Sequence, residues 1–260
     1  MNFYQVLNIK KFPKVISFIG GGGKTTAIFL LAREYDRLGK KILITTTTHF
    51  SLNQGNKASQ LIIEPEYNKA IYQIKKYEKQ HQILCLATKI LKDKRKLKGV
   101  PQNWIEKIKR EEIFDIILVE ADGARRKPFK VPAEHEPVLP RQSDKIIAVM
   151  GIEALNRPIT SQYIHRPERA LFLLGKNEEK NDTLLTEEYI SKIFFHKQGI
   201  LKEIDREKEV YILINKVDKE KQLKAFQLAY QLRKESTFPN LKILIGQIQD
   251  LQNPIKFIIE

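Results

Sequence analysis

SFIGGGGKTTA, residues 17–27, sets four glycines, a lysine and two threonines at the end of an apolar run. Glycine accepts positive φ and leaves its main-chain N–H uncovered. A row of such amides at the positive end of a helix is shaped to hold phosphate. The flanks supply that setting. KVISFI (14–19) is β-branched and aromatic, as a buried strand is. From Lys24 to Leu38, Ala27, Leu30, Leu31, Tyr35 and Leu38 recur at helical spacing, and Gly39 stands where a C-terminal cap would. KILITTT (41–47) is the next strand. Strand, glycine turn, helix and strand make a βαβ unit and predict a parallel sheet.

The alternation continues along the chain. QLIIE (60–64), QILCLAT (82–88), DIILVEA (115–121), KIIAVMG (145–151), EVYILIN (209–215) and LKILIG (241–246) read as strands. Helices are expected near 66–79, over 104–110 after Pro101, from a Thr186 cap to about 197, and near 219–233. The expected fold is α/β: a three-layer, P-loop NTPase-like domain with a mainly parallel sheet of about seven or eight strands, binding ligands at their carboxyl ends. No repeat or Gly/Ser linker marks a boundary, so residues 1–260 read as a single domain, with 55–110 the place for an insertion.

Composition narrows the partners. A net charge of +15 suits polyanions: nucleotides, nucleic acid or an acidic protein. The densest basic run, KILKDKRKLK (89–98), lacks interleaved aromatics and reads as a solvated surface. No helix-turn-helix, finger or stacking-aromatic pattern supports a nucleic-acid-binding protein. The apolar runs fall short of the ~18 residues a membrane helix needs. The N-terminus has no signal layout, and the single cysteine, Cys85, excludes an internal disulfide framework. A soluble cytoplasmic protein is expected.

Within the loop, Gly20, Gly21, Gly22 and Gly23 would cradle phosphate, and Lys24 would reach the β and γ oxygens. The hydroxyl of Thr25 would hold Mg²⁺, with Thr26 opening the helix beside it. The usual pattern has glycine at position 18, and this chain has Phe18, which predicts a tighter variant of the loop.

Three further segments carry chemistry. In YILINKVD (211–218) a strand ends in Asn-Lys-x-Asp. The Asp218 carboxylate would accept from the two N–H donors of a guanine edge, which adenine lacks; Asn215 would tie the strand to the glycine loop, and the Lys216 stem would cover the ring. GTP is therefore expected over ATP. In DIILVEADGARRKP (115–128), Glu120 and Asp122 sit at the ligand edge to serve the metal or orient water, Gly123 allows close approach, and Arg125 and Arg126 would neutralise transferred charge. TTTTH (45–49) brings hydroxyls and an imidazole to the same edge. There Thr47 is the metal candidate, although threonine is also an ordinary strand residue. None of the five histidines forms a zinc pair. His49 and His135 are the two worth testing, the latter in the rigid VPAEHEPVLP (131–140).

GGGGKTT, TTTTH, VEADGARRKPFKVPAEHEPVLP, HRPE (165–168), HKQGILK (196–202) and NKVD, in that order, resemble the YqeC family over roughly residues 15–220. That family is described as accessory proteins of selenium-dependent molybdenum hydroxylases. The resemblance implies a nucleotide-binding protein that helps mature such an enzyme, with the hydroxylase or its cofactor as partner. It covers Gly20–Thr26, Glu120–Arg126, Glu134–Glu136 and Asn215–Asp218, and touches 55–110 little.

Two classes of function share these residues. One is a Mg²⁺-dependent nucleoside triphosphatase, GTPase-like, whose γ-phosphate orders the loops at 45–52 and 120–136. The other is a small-molecule phosphotransferase, with Arg125, Arg126 and His135 holding the acceptor. A homodimer is compatible with either, and nothing in the sequence demands one.

Overall fold

The computed structural model describes residues 1–91, 95–176 and 183–260. The strands are β1 (Lys14–Gly20), β2 (Ile42–Thr46), β3 (His49–Ser51), β4 (Gln60–Ile63), β5 (Ile83–Ala87), β6 (Lys89–Leu91), β7 (Lys96–Lys98), β8 (Ile116–Glu120), β9 (Phe129–Lys130), β10 (Lys145–Gly151), β11 (Ile164–His165), β12 (Glu209–Asn215), β13 (Leu241–Gly246) and β14 (Ile255–Ile259). The helices are α1 (Phe3–Leu7), α2 (Lys24–Asp36), α3 (Leu52–Gly55), α4 (Tyr67–Tyr77), α5 (Gln102–Arg110), α6 (Pro167–Leu174), α7 (Glu187–Phe195) and α8 (Gln222–Glu235).

Nine strands form one sheet in the order β14-β13-β12-β10-β1-β8-β2-β5-β4. Eight are the parallel runs expected from sequence; the ninth, β14, pairs antiparallel with β13 at the edge. Central strands such as β8 and β10 are buried along their whole length, because helices cover both faces. On one face, α1 and α2 pack over Ile16, Phe18, Ile147 and Val149. On the other, α6, α7 and α8 cover Ile146, Ala148 and Ile212, while α4 and α5 cover Val15, Ile117 and Val119. That is the three-layer arrangement.

Phe18 belongs to this packing. Its ring is fully buried and meets Phe3 of α1 edge-on, with ring centres 6.5 Å apart. It points away from the glycine loop, into the core under α2. The helix α1 is held by Glu34, whose carboxylate accepts from the N–H groups of Phe3 and Tyr4 at 3.1 and 2.7 Å. Five residues are too few to show a helical period, so no pattern announces it.

The stretch 55–110 supplies β4 and β5 at one edge of the main sheet, with α4 and α5 packed beside them. It also supplies β6 and β7, which join β3 in a separate antiparallel sheet of three strands, order β3-β7-β6. Residues 92–94 of the lysine-rich run lie outside the described residues. Among the described residues, no helix is long and apolar enough to cross a membrane.

Candidate nucleotide-binding site

The carboxyl ends of β1, β8, β2, β10 and β12 meet at one edge. Register fixes this: Phe18 and Thr46 both pair with Glu120, Gly20 with Val149, and Gly151 with Asn215. The glycine loop emerges from β1 into that edge and is pressed against its neighbours. A Cβ on Gly20 would lie 2.4 Å from Val149 O, one on Gly21 2.7 Å from Lys127 O, and one on Gly22 2.1 Å from Gly151 N. Gly20, Gly22 and Gly23 also carry positive φ, from 71° to 124°. These glycines are needed for contact with the protein's own backbone before any ligand arrives.

The same contacts consume the first amides of the loop. Gly20 N donates to Asp122 Oδ2 at 2.9 Å, Gly21 N to Val149 O at 2.8 Å, and Gly22 N to Lys127 O at 2.9 Å. The row of bare amides expected over the whole loop is therefore shorter. The first main-chain bond of α2 runs from Ala27 N to Gly23 O. The N–H groups of Gly23 to Thr26 form the open first turn, no side chain caps it, and no acidic residue lies in it.

Lys24 does not extend into the cleft. Its ammonium sits 2.5 Å from Gly20 O, 2.9 Å from Asp122 Oδ1 and 3.9 Å from Glu120 Oε1. Burial opposes its charge, but the Asp122 and Glu120 carboxylates outweigh burial and hold its pKa above the ordinary lysine range. From Asp122 a chain of charges runs inward. Lys130 Nζ, fully buried, lies 3.0 Å from Asp122 Oδ2 and 2.8 Å from Glu136 Oε2, and Arg166 adds a contact to that same oxygen at 2.7 Å. Burial alone pushes Lys130 down and would push Glu136 up; the Lys130 and Arg166 cations reverse the latter and hold Glu136 at about 2. Lys24, Asp122, Lys130, Glu136 and Arg166 thus alternate in sign from the glycine loop to the start of α6.

Glu120 closes the other side. Its Oε2 accepts from the Thr25 hydroxyl at 2.7 Å, and burial raises its pKa although Lys24 opposes the shift. The turn Ala124–Lys127 overhangs the loop with Arg125 and Arg126 both in the left-handed region, φ 46° and 62°, a conformation that non-glycine residues adopt at a cost. Together with His49, Gly123 and His165, these residues line a cleft of about 550 Å³. His165 is held down to about 4 by burial, and next by the Arg166, Lys130 and Arg125 cations.

A second hollow of about 420 Å³ adjoins Gly23 and Thr26 and is lined by Asn215, Lys216 and Asp218. Asn215 Nδ2 donates to Gly22 O at 2.8 Å, and its Oδ1 accepts from Ile248 N at 3.0 Å, so β12 is tied to the loop. Asp218 is partly exposed and held below the usual aspartate range, chiefly by the Lys221 ammonium beside it. Lys216 pairs with Glu153.

The structure thus gathers Gly20–Thr26, Glu120, Asp122, Arg125 and Arg126 at one cleft, with Asn215, Lys216 and Asp218 beside it. Thr47 stands outside this cleft: its hydroxyl donates to Val138 O at 2.7 Å, and with His135 it lines a third, neighbouring cleft. Three residues of the charge chain escaped assignment of a role from sequence: Lys130, Glu136 and Arg166. The one signal for Lys130 was a lone lysine inside the apolar, proline-flanked PFKVP.

The model of the family described as YqeC protein matches residues 16–168. The YqeC protein of Escherichia coli (strain K12) is 30% identical over 198 residues, covering 76% of this chain and 74% of that protein. Among solved structures, chloroplast FtsY from Physcomitrella patens overlaps 96% of this chain and 63% of its own, at 14% identity and a TM-score of 0.47. The chain therefore spans under two thirds of that FtsY. A GTPase from Pyrococcus abyssi in its apo form overlaps 91% of each chain at 12% identity and a TM-score of 0.36.

Proposed function

The chain belongs to the YqeC family, and we propose that it is a Mg²⁺-dependent nucleoside triphosphatase, preferring GTP to ATP, that acts as an accessory factor in maturing a selenium-dependent molybdenum hydroxylase. The observation that carries the nucleotide reading is the open first turn of α2 beside a buried lysine held by carboxylates. A triphosphate placed there receives the amides of Gly23 to Thr26 and the positive end of the helix. Its negative charge competes with Asp122 for Lys24. As Lys24 turns to the phosphate, Asp122 loses one of its two cations, and the change reaches Lys130, Glu136 and Arg166 through direct contacts. This gives hydrolysis a route to the 130–136 loop and α6.

Mg²⁺ fits the residues present. Thr25 Oγ1 and the Glu120 carboxylate are adjacent hard oxygen donors at the mouth of the loop. Bound there, the metal would neutralise β- and γ-phosphate oxygens as charge develops on them. No group of three or more His, Cys, Asp or Glu forms a metal cage among the described residues, so the phosphates would complete the shell. Arg125 and Arg126 are held where a departing phosphoryl group would need countercharge. Asp218 carries the preference for guanine, and the maturation role rests on the family resemblance.

Calorimetric titration of Mg·GTP and Mg·ATP tests the reading. Saturable binding of GTP, weaker binding of ATP, and loss of both in Lys24→Ala are expected. Absence of nucleotide binding to the wild-type chain overturns it.

A further inference from the structure

The described ends of the lysine-rich run, 89–91 and 95–98, have a definite place. In the small sheet, His49 of β3 pairs with Lys98 of β7, and Lys98 pairs with Lys89 of β6. Cross-strand partners point to the same face. The next row, Phe50–Leu97–Ile90, turns the other way, and Phe50 and Leu97 are buried in the core beside α2. The outer face thus carries His49, Lys98 and Lys89 in one line, with Lys96 two rows on. Like charges directly opposite each other destabilise a sheet. Among the described residues, no carboxylate pairs with Lys89, Lys96 or Lys98.

This face roofs the third cleft, of about 620 Å³, which Lys89, Lys98, His49 and His135 line. Among the described residues, the one carboxylate in its wall, Glu136, is already matched by Lys130 and Arg166. Val100, Pro65 and Pro101 give the cleft firm walls on a scale suited to a small molecule. His49 and Glu136 also line the glycine-loop cleft, so the two clefts are neighbours.

We propose that the cleft beneath the small sheet binds a second, small ligand bearing a phosphate group, gripped by Lys89 and Lys98 with His49 and His135 at its rim. The ligand relieves the repulsion that the sheet otherwise carries. Its position beside a nucleotide rests on the reading above; its binding does not.

The test is a titration of inorganic phosphate into the full chain at constant pH, read from the ring signals of the five histidines by NMR. His135 lines only the third cleft of the two, and His165 only the glycine-loop cleft, so they report separately. A saturable shift of His135 is expected, weakened about tenfold or more in the Lys89→Gln/Lys98→Gln variant. Lys98→Glu, which sets opposite charges across the strands, should abolish the shift while holding or raising the melting temperature. A shift of His165 alone overturns the proposal, as does a His135 response indifferent to both variants. A lysine-dependent response to a short single-stranded oligonucleotide, with none to phosphate, also overturns it. If GTP fails to bind but His135 responds, the nucleotide reading falls and this one stands.

Discussion

Two groups of charges flank the same cleft and obey opposite rules. In the buried chain from Lys24 to Arg166, each charge has an opposite partner within 3.0 Å. On the small sheet, Lys89, Lys96 and Lys98 have none among the described residues. Dehydration makes the difference. An unmatched ion in the core costs several kcal/mol, so the chain must balance itself. Water and salt screen the exposed lysines, so their repulsion is tolerable and their charge is left for a ligand. The inner group fixes geometry and transmits change; the outer group attracts.

Substitutions can break this contrast. The largest effect is expected at Lys130. Replacing it with methionine leaves Asp122 and Glu136 with one cation each, Lys24 and Arg166, and should cost about 3–5 kcal/mol in urea unfolding. A loss near zero would mean that water already reaches the chain. Gly22→Ala comes next: its Cβ would strike Gly151 N, and its φ of 71° disfavours any side chain. A loss of about 2–3 kcal/mol is expected, together with weaker nucleotide binding. Asp218→Asn removes the ionised acceptor and should erase the preference for GTP over ATP, at about tenfold in GTP affinity. Equal affinities in the wild-type chain would remove the guanine assignment.

Acid probes the inner group more gently. His165 is held down to about 4, against 6.5 for a free imidazole. The unfolded chain therefore takes up the proton first, and stability should decline as pH falls from about 6.5 toward 4. Glu136 acts in a lower window: its carboxylate contribution is present above the usual range and is lost as pH falls toward about 2. His165→Gln should flatten the first slope and leave the second, as measured by denaturant midpoints from pH 7.5 to 2. The smallest effect sharpens the contrast from outside. Lys98→Glu should raise stability by about 0.2–1 kcal/mol, where an inner lysine would lower it.

The parallel sheet was legible because buried strands such as DIILVEA and KIIAVMG are continuous apolar runs, and the glycine loop marks where the ligand edge begins. Helices with strong caps or apolar stripes were legible too: Thr186 does accept from Tyr189 N at the start of α7. The edge strand β14, the five-residue α1 and the three-residue strands of the small sheet were not. They are too short for a period, and tertiary packing decides them. At the site, residue types and spacing brought out Lys24, Thr25 and the acidic strand end. What they could not show is that Gly20 to Gly22 spend their amides on Asp122, Val149 and Lys127, or that Lys130 lies buried between two carboxylates. Both depend on partners more than a hundred residues away or on a loop crossing, which local pattern does not encode. Thr47 is positioned in the same way, since its hydroxyl donates to Val138 O, 91 positions on.

A triphosphate at the first turn of α2 should draw Lys24 from Asp122. A crystal structure with Mg²⁺ and a non-hydrolysable GTP analogue tests it most directly. The β-phosphate is expected against the amides of Gly23 to Thr26, with the Lys24 ammonium on phosphate oxygens and clear of Asp122. Nucleotide bound elsewhere, or bound there with Lys24 still on Asp122, would contradict it.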